Sequence, residues 1–588
     1  MMRGPRRAQA VFSPTWVTSK REHDVRIDRD VKISMPDGIR LHADVFRPAS
    51  PGKFPALLGF HPYDQRGQTA PLMPRGMIPS GQLGIGTGRE KGNASLESGD
   101  PNFYAMRGYA HVIANVRGTG QSEGEFHLTG PQEIRDGYDL IEWIASQSWC
   151  DGNVGIHGIS YFGFLALYIA ALDPAPPHLK AIFAPCASTD QYRDNYYHGG
   201  ILGYEWQAKW CKSLGARPYN YSIHEMGEER YREAIAQLLQ DEDVGSVPAL
   251  VECLENPHEG GNSLVVDFVL NPHFGPYWEE RVVDYDRISV PSFIGCCWDH
   301  YGLHLPAAFR SWEKIRAPKK MLIGPMHPDR PMYQLSYLSL RWFDHWLKGL
   351  DTGIMSEPPV RIFVTGTNDW KEADDVPLPE TRWTPFYLHE KGYLFEREHW
   401  PNEAHTSFDD SPWGRGHIEF WSPKFIENTE IIGNGVLNLF GSSTDKEVLW
   451  FVTLFATDAN GQEKILSRGY LRGSQRKLDP TVSTPWRPHH SHTSRESLVP
   501  DRIYEFNIPL APVGHFFKAG TRFGLRIRCT DDEPKHSHEP TAARGHIRRQ
   551  APSRVTVYHN REYPSHLLLP ITKGNILETF ISAWEPPS

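Results

Sequence analysis

The feature that most constrains this chain is the run VGIHGISYFGFLALYIAA, residues 154–171. Val154 to His157 is a short apolar strand behind the turn Asp151-Gly152-Asn153, and Tyr161 to Ala171 is a strongly apolar helix. A strand that passes abruptly into a helix belongs to a sheet covered by helices. A serine on such a turn is lifted above the sheet with its oxygen exposed, which makes Ser160 a candidate nucleophile. Gly158 and Gly163 supply the close backbone approaches that a strained turn needs. The competing reading is an ordinary strand-to-helix turn in which the Ser160 hydroxyl caps the helix.

The five-residue pattern G-x-S-x-G occurs strictly elsewhere, at Gly120-Gln121-Ser122-Glu123-Gly124, because the second glycine of the Ser160 turn stands one place further on. Context decides between them. Ser122 lies in RGTGQSEGEF, too glycine-rich to begin a helix, and Glu123 and Glu125 would oppose negative charge developing beside it. It is expected to be a loop serine after a strand.

Around the Ser160 turn, residues 24–187 alternate strand-like and helix-like runs. Strands are expected at Leu41 to Phe46, Ala56 to Phe60, His111 to Val116 and Ala181 to Ala184, and a helix over Gln132 to Gln147 with Ile134, Tyr138, Ile141 and Trp143-Ile144 on one face. Residues 188–283 change to polar, aromatic-rich helical stretches and read as an inserted helical cap. The alternation resumes over 284–357, with strands at Pro291 to Cys297 and Lys320 to Ile323. From 358 to 588 short β-rich runs between turn residues read as an all-β sandwich, including a hairpin at Ala459-Asn460-Gly461. The loops HHSHTS and KHSHEP are expected to be solvated rather than metal-binding.

At 588 residues the chain exceeds what one core fills. A net charge of -9 offers no global attraction to phosphate backbones or anionic lipid, so neither nucleic acid nor membrane is an expected partner. No stretch of about 20 apolar residues suggests a transmembrane helix. The basic start MMRGPRRAQAVFSPTW lacks the apolar run of a signal peptide. Seven cysteines without paired short spacing read as reduced thiols in a cytoplasmic protein. His300 and His304 stand four apart, but no third ligand is evident, so they are expected at a pocket rim and no metal or other cofactor is expected.

The segments SWCDGNVGIHGISYFG, GYAHVIANVRGTGQSEGEF, FIGCCWDHYG, RWFDHWLKG, PPVRIFVTGTNDW and VYHNREYPSHLLLP together resemble the cocaine esterase (CocE/NonD) family of serine hydrolases, which is related to X-Pro dipeptidyl peptidases and α-amino-acid ester hydrolases. The family's G-x-S-Y-x-G turn accounts for the displaced glycine. The resemblance implies an α/β-hydrolase domain with an inserted helical cap and a C-terminal jelly-roll domain. It maps the family's acid onto Asp299 and its histidine onto His327 in LIGPMHPDR. His327 follows Gly-Pro-Met directly, where family members usually have Gly-Pro-Trp and one further residue. The family's oxyanion tyrosine maps onto Tyr63 in HPYDQ; the second oxyanion donor, general to the fold, is the backbone N–H of Tyr161. The chain order Ser160, Asp299, His327 is the one α/β-hydrolases use. His61 and His157, beside these motifs, are expected to be packing residues.

This implies hydrolysis of a small-molecule ester through an acyl-enzyme. Amide or X-Pro dipeptide cleavage by the same triad is the alternative, and a non-catalytic binding protein on a hydrolase scaffold a second. A dipeptidyl peptidase must recognise a free amine; Glu205, Glu225, Glu228 and Glu229 of the cap are the available carboxylates, and charges on helices are usually solvated faces. The α/β pattern opens almost at once, so the extra N-terminal domain of some X-Pro peptidases is not expected. Tyr204, Trp206 and Trp210 suggest a bulky substrate or simple packing. The family's habit of forming dimers leaves a homo-oligomer open.

Overall fold

The computed structural model describes residues 17–69, 97–325, 335–398, 405–457, 461–531 and 545–574. A ten-stranded sheet carries the first part of the chain: β1 (Val25–Ser34), β2 (Arg40–Pro48), β3 (Phe54–His61), β4 (Ala110–Asn115), β5 (Cys150–His157), β6 (Leu179–Pro185), β7 (Ser292–Cys296), β8 (Lys319–Ile323), β9 (Val360–Val364) and β10 (Asp369–Ala373), in the spatial order β1-β2-β4-β3-β5-β6-β7-β8-β9-β10. The run from β4 to β9 is parallel, flanked by antiparallel pairs at both edges. Strands buried on both faces need no polar side, and β4 is buried at every position. β1 was not expected from sequence. Its alternation of charged and apolar residues is that of an exposed edge, and a bulge between Asp28 and Val31 breaks its register.

The longer helices packed on this sheet among the described residues are α1 (Pro131–Ser146), α2 (Tyr161–Ala170), α3 (Leu305–Lys314) and α4 (Ser336–Lys348). Every residue of α2 is buried, so it lies inside the core between sheet and cap. α1 presses closely onto it through Gly137, where a Cβ would stand 2.2 Å from the Ile169 side chain. This approach sets the buried face of α1 at Ile134, Gly137, Leu140, Ile141 and Ile144, leaving Tyr138 and Trp143 half-buried rather than central. α4 covers the opposite face of the sheet, with Trp342 and Phe343 against Phe183 and Phe293.

Between β6 and β7 the chain leaves the sheet to form the cap. It comprises a π-helical turn Tyr192–Tyr196 and helices that include Glu205–Ser213, Glu228–Leu239, Pro248–Glu255 and Asn262–Leu270. From Arg382 to Lys573 the chain forms a 14-stranded, largely antiparallel assembly with its own core around Leu437, Trp450, Leu525 and Leu569, the jelly-roll domain.

The expected junction at 357/358 cuts the first sheet. β9 pairs in parallel with β8 through Met321–Val360 to Ile323–Ile362, and β10 closes that edge, so the α/β sheet runs on to Ala373. A short alternating strand after two prolines does not reveal which sheet will take it. The strands Leu449–Thr457 and Glu463–Arg472 pair as a hairpin, while Ala459 and Asn460 of its expected turn lie outside the described residues. HHSHTS is only partly solvated, with Thr493 and Ser494 exposed. His490 and His492 are buried, His490 bonding the Asn507 carbonyl at 2.7 Å and His492 the Gln475 side chain at 2.8 Å, where the loop packs against the cap. KHSHEP lies outside the described residues.

Candidate active site

β5 ends at His157 and the chain turns into α2 within three residues, placing Ser160 at φ 54°, ψ -127°. Such a backbone is costly for any residue with a Cβ and persists only where its surroundings hold it. They do: Ser160 N–H donates to the Cys186 carbonyl at 3.1 Å, and Ile159 N–H donates to the Glu97 carbonyl at 2.9 Å. Gly158 is required, because a Cβ there would meet Phe162 Cβ at 2.3 Å. The Ser160 side chain makes no capping hydrogen bond, so the hydroxyl is not the N-cap that an ordinary turn would use.

Ser122 is built the opposite way. It is fully buried, its hydroxyl donating to the Asn115 carbonyl at 2.8 Å and accepting from His42 N–H at 2.8 Å. Arg117 locks the same loop through a bidentate pair with buried Asp136 at 2.5 and 2.7 Å.

Ser160 lines a cavity between sheet and cap. Tyr63, Tyr161 and Phe164 share its sheet side, Gln191, Asn195, Tyr196, Trp206, Gln207 and Trp210 its cap side, and Leu128, Leu303 and His304 complete it. No Asp, Glu, Lys or Arg is among these described residues. The cap wall is braced from below: Arg310 of α3 holds Asp194 at 2.6 Å, and Asp194 in turn accepts from Thr189 and Asp190 N–H at 3.0 Å, fixing the π-helical turn that carries Asn195 and Tyr196.

Tyr63 lies beside Ser160 and Trp210 in the cavity, and both act on its hydroxyl. Burial pushes its pKa well above the ordinary phenol value, the Glu97 carboxylate adds to the rise, and Trp210 and Ser160 pull against it. Tyr63 is therefore a neutral donor at any pH the protein meets. Its loop is set by two bonds: Tyr63 N–H donates to His61 Nδ1 at 3.1 Å, and Asn115 donates to the Tyr63 carbonyl at 2.8 Å. His61 is buried and stacked on Phe162 at 4.8 Å, and burial lowers it to about 3, so it is a neutral positioning ring. His157 is likewise buried and lowered to about 3, packed against Tyr104 and Phe343.

Tyr161 opens α2, where the first N–H groups of a helix lack partners inside it. Its phenol points away, donating to Glu133 at 2.9 Å and accepting from Thr129 N–H at 3.2 Å. Burial raises Glu133 to about 8, with the Tyr161 hydroxyl opposing.

Asp299 lies just beyond β7 and is 3% exposed. Trp298, before it, donates to the Phe363 carbonyl at 2.6 Å and packs on Gly514, where a Cβ would meet its ring at 2.2 Å. The jelly roll also brings Lys464 close enough for Asp299 to support its charge. It thus buttresses the loop that carries Asp299. β8 ends at Ile323 and is followed by Gly324 at φ 83°; His327 lies outside the described residues.

Sequence reasoning missed Glu97. Its carboxyl is buried, neither oxygen has a hydrogen-bond partner among the described residues, and burial raises its pKa well above the usual range. No motif marks it. It also missed the polar wall of Gln191, Asn195 and Gln207, although Trp206 and Trp210 do line the cavity; Tyr204 does not.

A doubly flanked parallel sheet, a strained serine elbow beneath a cap and a tyrosine hydroxyl facing that serine define a serine hydrolase of the α/β-hydrolase type. The family model for X-Pro dipeptidyl-peptidase (S15 family) matches residues 37–327, and that for the X-Pro dipeptidyl-peptidase C-terminal non-catalytic domain matches 352–568. The cocaine esterase of Rhodococcus sp. (strain MB1 Bresler) is 25% identical, over 92% of this chain and 98% of that protein. An Xaa-Pro dipeptidyl-peptidase of Lactobacillus helveticus is 30% identical, over 73% of this chain and 60% of that protein. The solved CocE/NonD family hydrolase from Staphylococcus aureus superposes with a TM-score of 0.76 at 25% identity, covering 93% of both chains. The chain belongs to the CocE/NonD family of serine hydrolases.

Proposed function

We propose that the protein hydrolyses a small, uncharged carboxylic ester through an acyl-enzyme on Ser160. His327 takes the serine proton as the oxygen attacks the ester carbonyl, and returns it to the leaving alcohol as the tetrahedral intermediate collapses. Asp299 holds the imidazole in the right tautomer and balances the imidazolium. The Tyr63 hydroxyl and the Tyr161 N–H donate to the oxyanion, each contributing about 3 kcal/mol to the transition state. Water, deprotonated by the same histidine, then releases the acid.

The observation that carries the ester reading over the peptidase reading is the uncharged cavity wall. Binding a substrate ammonium requires a carboxylate, since an unpaired buried charge is strongly penalised. None lines the cavity among the described residues, and Glu205, Glu225, Glu228 and Glu229 are all exposed on the cap. Trp206, Trp210, Tyr196 and Phe164 suit a bulky or aromatic acyl or alcohol group. Dipeptide cleavage remains the second reading because the S15 family model spans the region of the site.

Chromogenic aryl esters and X-Pro anilides assayed side by side, with Ser160→Ala as control, separate the two. Turnover of esters over anilides supports the proposal; anilide preference overturns it in favour of the peptidase. All seven cysteines are buried and none forms a disulfide, which supports a reducing, cytoplasmic setting. Among the described residues no helix is long and apolar enough to cross a membrane.

A further inference from the structure

Beneath the elbow, Cys186, Cys296, His300 and His304 converge, each buried, with one ligand atom from each lying within 4.8 Å of every other. In sequence only the histidine pair was visible. The missing ligands come from the ends of two neighbouring strands, Cys186 following β6 and Cys296 closing β7.

We infer that these four side chains form a tetrahedral Cys2His2 site for zinc. Two thiolates and two imidazoles are a donor set that favours zinc among the common divalent ions. The Nδ1 atoms of His300 and His304 are 3.3 Å apart, matching the edge of about 3.3 Å that bond lengths of ~2.0–2.1 Å give a tetrahedron. Bringing the sulfurs to ~2.3 Å from a common centre closes the remaining spread by no more than about 1.3 Å. Charge is also suited to the place. Each thiol gives up its proton to solvent on binding, so two thiolates neutralise the dication and the buried complex carries no net charge.

The scaffold is preformed. Cys186 sits at φ 55°, a left-handed backbone that a non-glycine residue keeps only under constraint. Its N–H donates to the Gly295 carbonyl at 2.7 Å, and Gly324 N–H donates to the Cys296 carbonyl at 2.7 Å. Ser188 ties the histidine loop to β6 through the Leu303 carbonyl at 3.0 Å. An ion here would clip together the strand end that holds the Ser160 N–H, the loop that carries Asp299 and the cavity wall at His304. The site is independent of whether esters or amides are cleaved.

The test uses the full-length protein purified under reducing conditions, reconstituted with zinc or cobalt(II) chloride and freed of loose metal. Expected are about one metal per chain, a zinc X-ray absorption shell of two sulfurs and two nitrogens, and, for cobalt, a thiolate-to-metal charge-transfer band in the near ultraviolet. That band should be lost in Cys186→Ser and Cys296→Ser and kept in Cys211→Ser. No stoichiometric metal, a shell without sulfur, or a band that survives both serine variants would overturn the inference. Should the variants not fold, the absorption shell of the wild-type protein decides alone.

Discussion

The Gly118–Gly124 loop and the Gly158–Gly163 turn begin alike: each follows a sheet strand, each is glycine-rich, and each presents a serine. They differ in what the serine oxygen is for. Ser122 is fully buried and its hydroxyl is consumed by two backbone groups, one on β2 and one on β4. Ser160 occupies a strained backbone, leaves the helix uncapped and faces a cavity and a tyrosine hydroxyl. A satisfied hydroxyl in a relaxed loop stabilises; a hydroxyl held in place at the expense of backbone strain is available for chemistry.

The sharpest way to break this comparison is to remove each function in turn. Ser160→Ala should lower kcat/KM for a chromogenic ester by about 10⁴- to 10⁶-fold with the fold intact by circular dichroism. Asp299→Asn should cost about 10⁴-fold in kcat, because the imidazole loses its tautomer control. Tyr63→Phe removes one oxyanion donor and should reduce kcat by about 10²- to 10³-fold with KM little changed. Ser122→Ala should leave turnover per folded molecule unchanged and lower unfolding free energy by about 1–3 kcal/mol in denaturant titration, since His42 N–H and the Asn115 carbonyl lose their partner.

The smallest expected effect concerns pH. Glu133 holds its proton up to about pH 8 in the folded chain and loses it near 4.5 when unfolded, so the folded state binds the extra proton between those values. Its contribution is therefore a stability that falls as pH rises from about 4.5 to 8. Glu133→Gln should flatten that slope in urea titrations across the window, and an unchanged slope would show that the Tyr161 phenol is not held by a neutral acid.

Much of this was legible in the sequence because it depends on local patterns. Strands β2 to β8 and helices α1 and α2 follow from apolar runs and turn residues, and Ser160 from the strand and helix on either side of it. What was not legible is what strands bring together from afar. β9 and β10 were assigned to the wrong side of a junction because pairing partners are not written in a strand's own residues. Glu97 carries no motif, and its closeness to Tyr63 arises only when β3 and the elbow pack. Cys186 and Cys296 are 110 positions apart and meet the histidine pair only through adjacent parallel strands. The loop HHSHTS misled for the opposite reason, since polar residues can be buried wherever backbone carbonyls receive them.

The most direct test of the difference between the two serines is covalent. Incubation with a fluorophosphonate, followed by intact-mass measurement and peptide mapping, should give one adduct per chain, on the peptide carrying Ser160, with loss of ester turnover in proportion to labelling. An adduct on Ser122, or full inactivation with Ser160 unmodified, would contradict the account.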